Sequence, residues 1–129
     1  MVERAYAGGV PMGADLPPAG AAEAKPVFVA AATRDPSAMG APLQQLQLVK
    51  GWIDAEGRRR TEVTVLAGGP NEAGVDLETG ERHGAGHDSL CAVHRDEAFD
   101  PELSTYYYLR VVENPSARWS VFDLSLIHI

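Results

Sequence analysis

The chain has 129 residues, one cysteine and a formal charge of −7 from 18 acidic and 11 basic side chains. That length suits one domain, and 45% hydrophobic with 22% charged residues argues for a packed core over wholesale disorder. The acidic balance excludes nucleic acid and anionic membrane surfaces as expected partners, since both need clustered Lys and Arg. The one basic run, Arg58-Arg59-Arg60, is flanked by Glu56 and Glu62. A lone Cys91 excludes an internal disulfide. No apolar run reaches the roughly 20 residues of a membrane helix.

In chain order, residues 1–24 read as a connector from a missing upstream region. Gly8, Gly9, Gly13 and Gly20 alternate there with Pro11, Pro17 and Pro18, and no period is sustained. Val27–Thr33 is a short apolar, β-branched run between Pro26 and Asp35-Pro36, the signature of a buried strand. Leu43–Ile53 carries the clearest period of two, with Leu46, Leu48 and Trp52 on one face and Gln45 and Gln47 on the other. Lys50 interrupts the apolar face, and its stem is expected to lie along that face while the amine reaches water. Residues 54–57 form a turn with Gly57 at positive φ. Residues 61–67 then pair back as a hairpin, Val63, Val65 and Ala67 sharing a face.

Further strands are expected at residues 75–77, 89–94 and 105–112, with another starting at 118–122. Asn114-Pro115 ends the Tyr106–Val112 run. Five or six short strands, turns every 8–15 residues and no convincing amphipathic helix predict an all-β fold, an incomplete sandwich-like domain with long Gly/Pro-rich loops.

Four side chains invite a metal reading: His83, His87, Cys91 and His94. Imidazole and thiolate at short spacing suit zinc. His-x3-His chelates best on a helix, however, and Gly84 and Gly86 oppose one. On a strand, Cys91 and His94 face apart. Solvated loop histidines and a buried cysteine are the favoured reading, zinc the lesser one. The acidic group Asp88, Asp96, Glu97, Asp100 and Glu102 lacks calcium-loop spacing and reads as a solvated turn. Tyr106 and Tyr108 share a strand face, and with Arg118 and Trp119 they are the candidate recognition surface; packing is the competing role. No catalytic residue and no cofactor-binding residue is assigned.

Residues 124–129, Leu-Ser-Leu-Ile-His-Ile, end the chain abruptly. Back-translated as CTG-TCT-CTT-ATA-CAC-ATC they resemble a transposase mosaic-end sequencing adapter. The expectation is that Asp123 precedes translated adapter, so His128 enters no site argument.

Longer strings carry a family resemblance. Gly9-Val10-Pro11-Met12-Gly13-Ala14-Asp15-Leu16, Pro42–Trp52, Val75-Asp76-Leu77-Glu78-Thr79, Phe99-Asp100-Pro101 and the run from Tyr106 to Ser120 occur in the order seen in the proteins of domain of unknown function 3604. The chain resembles their C-terminal part. The resemblance implies a longer parent protein whose N-terminal part is similar to metal-dependent phosphoesterases of the polymerase-and-histidinol-phosphatase type. It implies a divalent metal for that parent and none for this segment, with residues 25–123 as a truncated β-rich C-terminal domain. The implied role is a non-catalytic accessory domain whose partner is the missing catalytic domain; the alternative is a free-standing binding module. Gly80 and Ala117 stand where the resemblance implies cysteines, and His94 stands where it implies Trp, so neither disulfides nor a histidine site is supported by it.

Overall fold

Leu43–Ile53 (β2) organises the molecule, because its alternating apolar and amide side chains let it be covered on both faces. The computed structural model describes residues 2–18, 20 and 24–127. In chain order the elements are α1 (Val2–Gly8), β1 (Val27–Thr33), β2, β3 (Arg59–Gly68), β4 (Gly74–Val75), β5 (Arg82–His83), β6 (Ser89–Arg95), β7 (Thr105–Glu113) and α2 (Trp119–Ile127).

The fold is all-β, as expected. β2 is the central strand of an antiparallel sheet ordered β3-β2-β7, and β1 pairs with β6 in a second antiparallel sheet. β6 lies against β2 and β3, while Phe28 of β1 meets the ring of Tyr107 of β7 at 4.5 Å between centroids. Two layers result, with Ala30, Leu43, Leu46 and Leu90 buried between them and Ala32, Leu66, Ala67 and Leu109 packed around. A small ribbon, β4-β5, sits apart.

Two bulges decide which side chains reach that core. In β2 the register against β7 shifts between Leu43 and Gln45. The extra residue reverses the alternation, so Leu43 joins Leu46 on the inner face. In β3 the register shifts opposite Leu46 and Gln47. Ala67 is thereby turned inward beside Leu66, away from Val63 and Val65, which stay on the outer face and are about half exposed. The expected common face of Val63, Val65 and Ala67 is corrected accordingly: a pure period of two holds only up to the bulge.

The β2–β3 turn forms as expected, with Gly57 at φ 79°. Asp54 stabilises it, Oδ1 accepting from the Arg58 and Glu56 N–H groups at 2.8 and 3.1 Å. Arg82 ties the ribbon to the 38–40 loop through the carbonyls of Ala38 and Gly40, both at 3.0 Å. Buried Asn114 joins Asn71 at 2.8 Å and the Ala85 carbonyl at 3.0 Å.

Within residues 1–24, read as a connector, Val2–Gly8 is a helix. One expectation fails at the other end. Residues 118–122 do not begin a strand; they enter α2, which also takes in residues 124–127. After Pro115 the chain leaves the β7 ladder with no strand beside it, and local bonding, begun by Val121 N–H to the Arg118 carbonyl at 3.0 Å, satisfies its backbone instead. Phe122 packs its ring over Gly80. No helix among the described residues is long and apolar enough to cross a membrane.

Leu46 is 1% exposed at the centre of the core. Leu46→Ala is expected to cost about 3 kcal/mol in urea unfolding, whereas Val63→Thr on the outer face is expected to stay within about 0.5 kcal/mol.

Candidate functional site

Three polar side chains meet inside the sandwich at the end where the β2–β3 turn lies. Lys50 comes from β2, Tyr107 lies opposite it on β7, and Asp96 follows β6 directly. Lys50 Nζ is 2.6 Å from Asp96 Oδ2, and both side chains are only about a tenth exposed. The Tyr107 hydroxyl donates to the same oxygen at 2.6 Å. Asp96 Oδ1 accepts from the Ala98 N–H at 3.1 Å, and Lys50 Nζ also reaches the Ala98 carbonyl at 3.4 Å. The ammonium lies 5.1 Å from the centroid of the Trp52 ring.

The electrostatics follow from that geometry. Burial works against a charged Asp96, but the Lys50 ammonium and the Tyr107 hydroxyl outweigh it and hold the carboxyl below its ordinary value. Burial, reinforced by the hydrogen bond to Asp96, pushes the Tyr107 phenol well above its ordinary value. Two sequence expectations are corrected here. Lys50 does not reach water, and Asp96 is not part of a solvated turn. Neither could be read from one strand, because the partner lies 46 residues away in the chain.

The metal candidates are dispersed. His83 lies on β5 against Gly74. His87 bridges Leu43 through backbone bonds, its ring exposed. Cys91 and His94 alternate to opposite faces of β6. No group of three or more His, Cys, Asp or Glu side chains that could hold a metal occurs among the described residues. Among the described residues these four side chains thus do not come together as one ligand set. Cys91 is exposed, not buried, because Leu90 and Ala92 take the inward positions of β6.

The recognition candidates divide. Tyr106 and Tyr108 lie on the outer face of β7, their rings parallel within 4° and 6.4 Å apart. The Tyr106 ring sits directly over Gly51, in space that any larger residue there would fill. Arg118 and Trp119 are exposed beyond the far end of β7, about 20 Å of strand from Tyr106. The pair thus belongs to a different part of the surface. What sequence reading missed is the outer-face polar row: Arg110 Nε donates to Gln47 Oε1 at 2.7 Å, and the buried Gln45 Oε1 has no hydrogen-bond partner among the described residues. Alternation along β2 pointed to these amides, but the arginine opposite them follows only from the strand register.

Two concavities open at this end. One, about 370 Å³, is lined by residues 52–53, 59–61 and 104–106. The other, about 550 Å³, runs between α1 with its following loop and the edges of β1 and β7.

A family model described as "Protein of unknown function (DUF3604)" matches residues 1–128. No curated protein and no solved structure matches the chain.

Lys50→Met leaves Asp96 buried without its counter-ion, and a loss of roughly 3 kcal/mol is expected in thermal or urea unfolding at neutral pH. Asp96 ionises more readily in the folded chain than in the unfolded one. Its contribution is therefore present above about pH 4 and is lost as pH falls through the depressed folded value. Lys50→Met removes a lowering influence, so acid unfolding followed by circular dichroism is expected to set in at higher pH than in the parent chain.

Proposed function

The chain belongs to the DUF3604 family, and from that premise we propose that it is an accessory β-domain without catalysis of its own, seated against the catalytic domain of a larger metal-dependent hydrolase of phosphoesterase type. The observation that carries this reading is the closure of its buried polar cluster. Lys50, Asp96 and Tyr107 bond one another and the adjoining backbone, so they act as a fastener between layers. A general acid or base must instead aim a titrating group at a substrate. The outer face of the β3-β2-β7 sheet supports a covered position in the parent. Val63, Val65 and Tyr108 are exposed there, on the stretch of the face away from the concave site beside Tyr106, and contiguous apolar exposure favours a partner surface.

The second reading is a free-standing binding module, favoured by the concave site beside Tyr106. The two differ in how the chain behaves alone. A monodisperse monomer favours the free-standing module, and self-association through the exposed outer sheet face favours the domain that needs its neighbour.

With zinc or manganese added, the purified chain is expected to leave a generic phosphodiester such as bis(4-nitrophenyl) phosphate at its background hydrolysis rate. Turnover that a chelator abolishes overturns the non-catalytic assignment.

A further inference from the structure

The arginine triplet at the start of β3 is not uniform. Arg58 Nε and Arg60 Nε both bond Asp54 Oδ2, at 3.0 and 2.9 Å, and Arg58 also pairs with Glu56 at 3.2 Å. Slight burial works against Asp54 ionisation, but the Arg58 backbone and the two guanidinium groups hold its carboxyl below the ordinary value. Arg59 is exposed and has no hydrogen-bond or ion-pair partner among the described residues. In a chain with 18 acidic side chains, this guanidinium is left unneutralised at the wall of a cleft.

Register shows which side chains shape that cleft. Trp52 lies opposite Arg60 and Thr105, and Ile53 lies opposite Arg59. Trp52 shares the inner face with Lys50. Alternation therefore puts Ile53, Arg59, Thr61 and Tyr106 together on the outer face. Tyr106 is braced over Gly51, which makes it a fixed wall. Ser104 lies at the rim, its carbonyl accepting from the Ile53 N–H at 3.3 Å. The cleft's volume of about 370 Å³ falls at the lower end of the range for small-ligand sites, about 300–1,000 Å³.

The chemistry of these walls is specific. A guanidinium binds an oxyanion through two parallel hydrogen bonds. A tyrosine ring offers a flat apolar wall with a polar tip. The hydroxyls of Thr61 and Ser104 both donate and accept, as polyol recognition requires. A polyanion is disfavoured by the charge of −7, whereas one anionic group against one free arginine is balanced. We propose that this cleft binds a sugar ring bearing a single anionic substituent, whether carboxylate, sulfate or phosphate. The cleft opens at the strand ends and borders the buried Lys50–Asp96–Tyr107 cluster through Trp52, whose ring lies 5.1 Å from the Lys50 ammonium.

The test is calorimetric titration of the full chain with glucuronate, glucose 6-sulfate, glucose 6-phosphate and unsubstituted glucose. At least one anionic sugar is expected to saturate the site at millimolar concentration, the tightest naming the substituent, with glucose far weaker. Arg59→Gln is expected to weaken that sugar by at least about tenfold, the loss of one charge-assisted contact. Arg59→Lys should retain part of the affinity, and Arg58→Gln should leave it intact. An unchanged thermal midpoint shows that Arg59→Gln has not disturbed the fold. Saturation by none of the anionic sugars, equal binding of glucose, or full affinity in Arg59→Gln overturns the proposal.

Discussion

A carboxylate removed from water must find a counter-charge and hydrogen bonds, and Asp96 obtains its counter-charge and its shortest hydrogen bond from other strands. Lys50 of β2 and Tyr107 of β7 come from one sheet, while Asp96 directly follows β6 of the other. Its own N–H donates to the Pro26 carbonyl at 3.1 Å, just ahead of β1. One residue thus connects four strands at one end of the sandwich, its side chain reaching β2 and β7 and its backbone the start of β1. An ion pair in this setting adds little net stability over an apolar contact of the same shape, but removing either partner is costly. Its consequence is geometric: β6 can lie against β2 and β3 in only one register if Asp96 is to be paired.

The rest of the core is apolar and small, and the bulges make that sufficient. Leu43 and Ala67 sit beyond the points where the β2 and β3 registers shift. Without those shifts each would face outward, and the inner layer would lose Leu43 from its cluster of four buried residues. The opposite end of the sandwich is closed by neutral amides, Asn71 and Asn114, which bond each other and the Ala85 carbonyl. Charge closes one end and amide hydrogen bonds close the other, with leucines and alanines between them.

Much of this was legible along the chain. The period of two in Leu43–Ile53, the Asp54–Gly57 turn and the aromatic run of β7 each depend on local alternation or turn chemistry, and each formed where it was read. The failures share a different cause. Lys50 looked like a snorkelling side chain because its partner is distant in sequence. Cys91 looked buried because β-branched and apolar neighbours surround it, yet alternation with Leu90 gave the inward place to the leucine. The bulges carry no signature that a strict alternation would reveal. Residues 118–122 are apolar enough for a strand, but a strand needs a neighbour, and beyond Pro115 none was there. Tyr106 and Tyr108 share the outer face of β7 as alternation dictates, whereas Arg118 and Trp119 lie beyond its far end.

The arginine triplet shows how alternation can divide like residues into unlike roles. Consecutive strand positions face apart, so a single carboxylate, Asp54, can take Arg58 and Arg60 together but not the residue between them. The same alternation sends Lys50 and Trp52 inward, and Gly51 between them leaves room outward for Tyr106. The inner face at this end is therefore filled with mutually satisfied charge. The outer face, two residues wide on each strand, is left with a free guanidinium and a fixed ring. Closure of the first surface sets the geometry of the second, because both are built on the same stretch of β2, and a β2 displaced enough to break the Lys50–Asp96 pair would also lift Gly51 from beneath Tyr106.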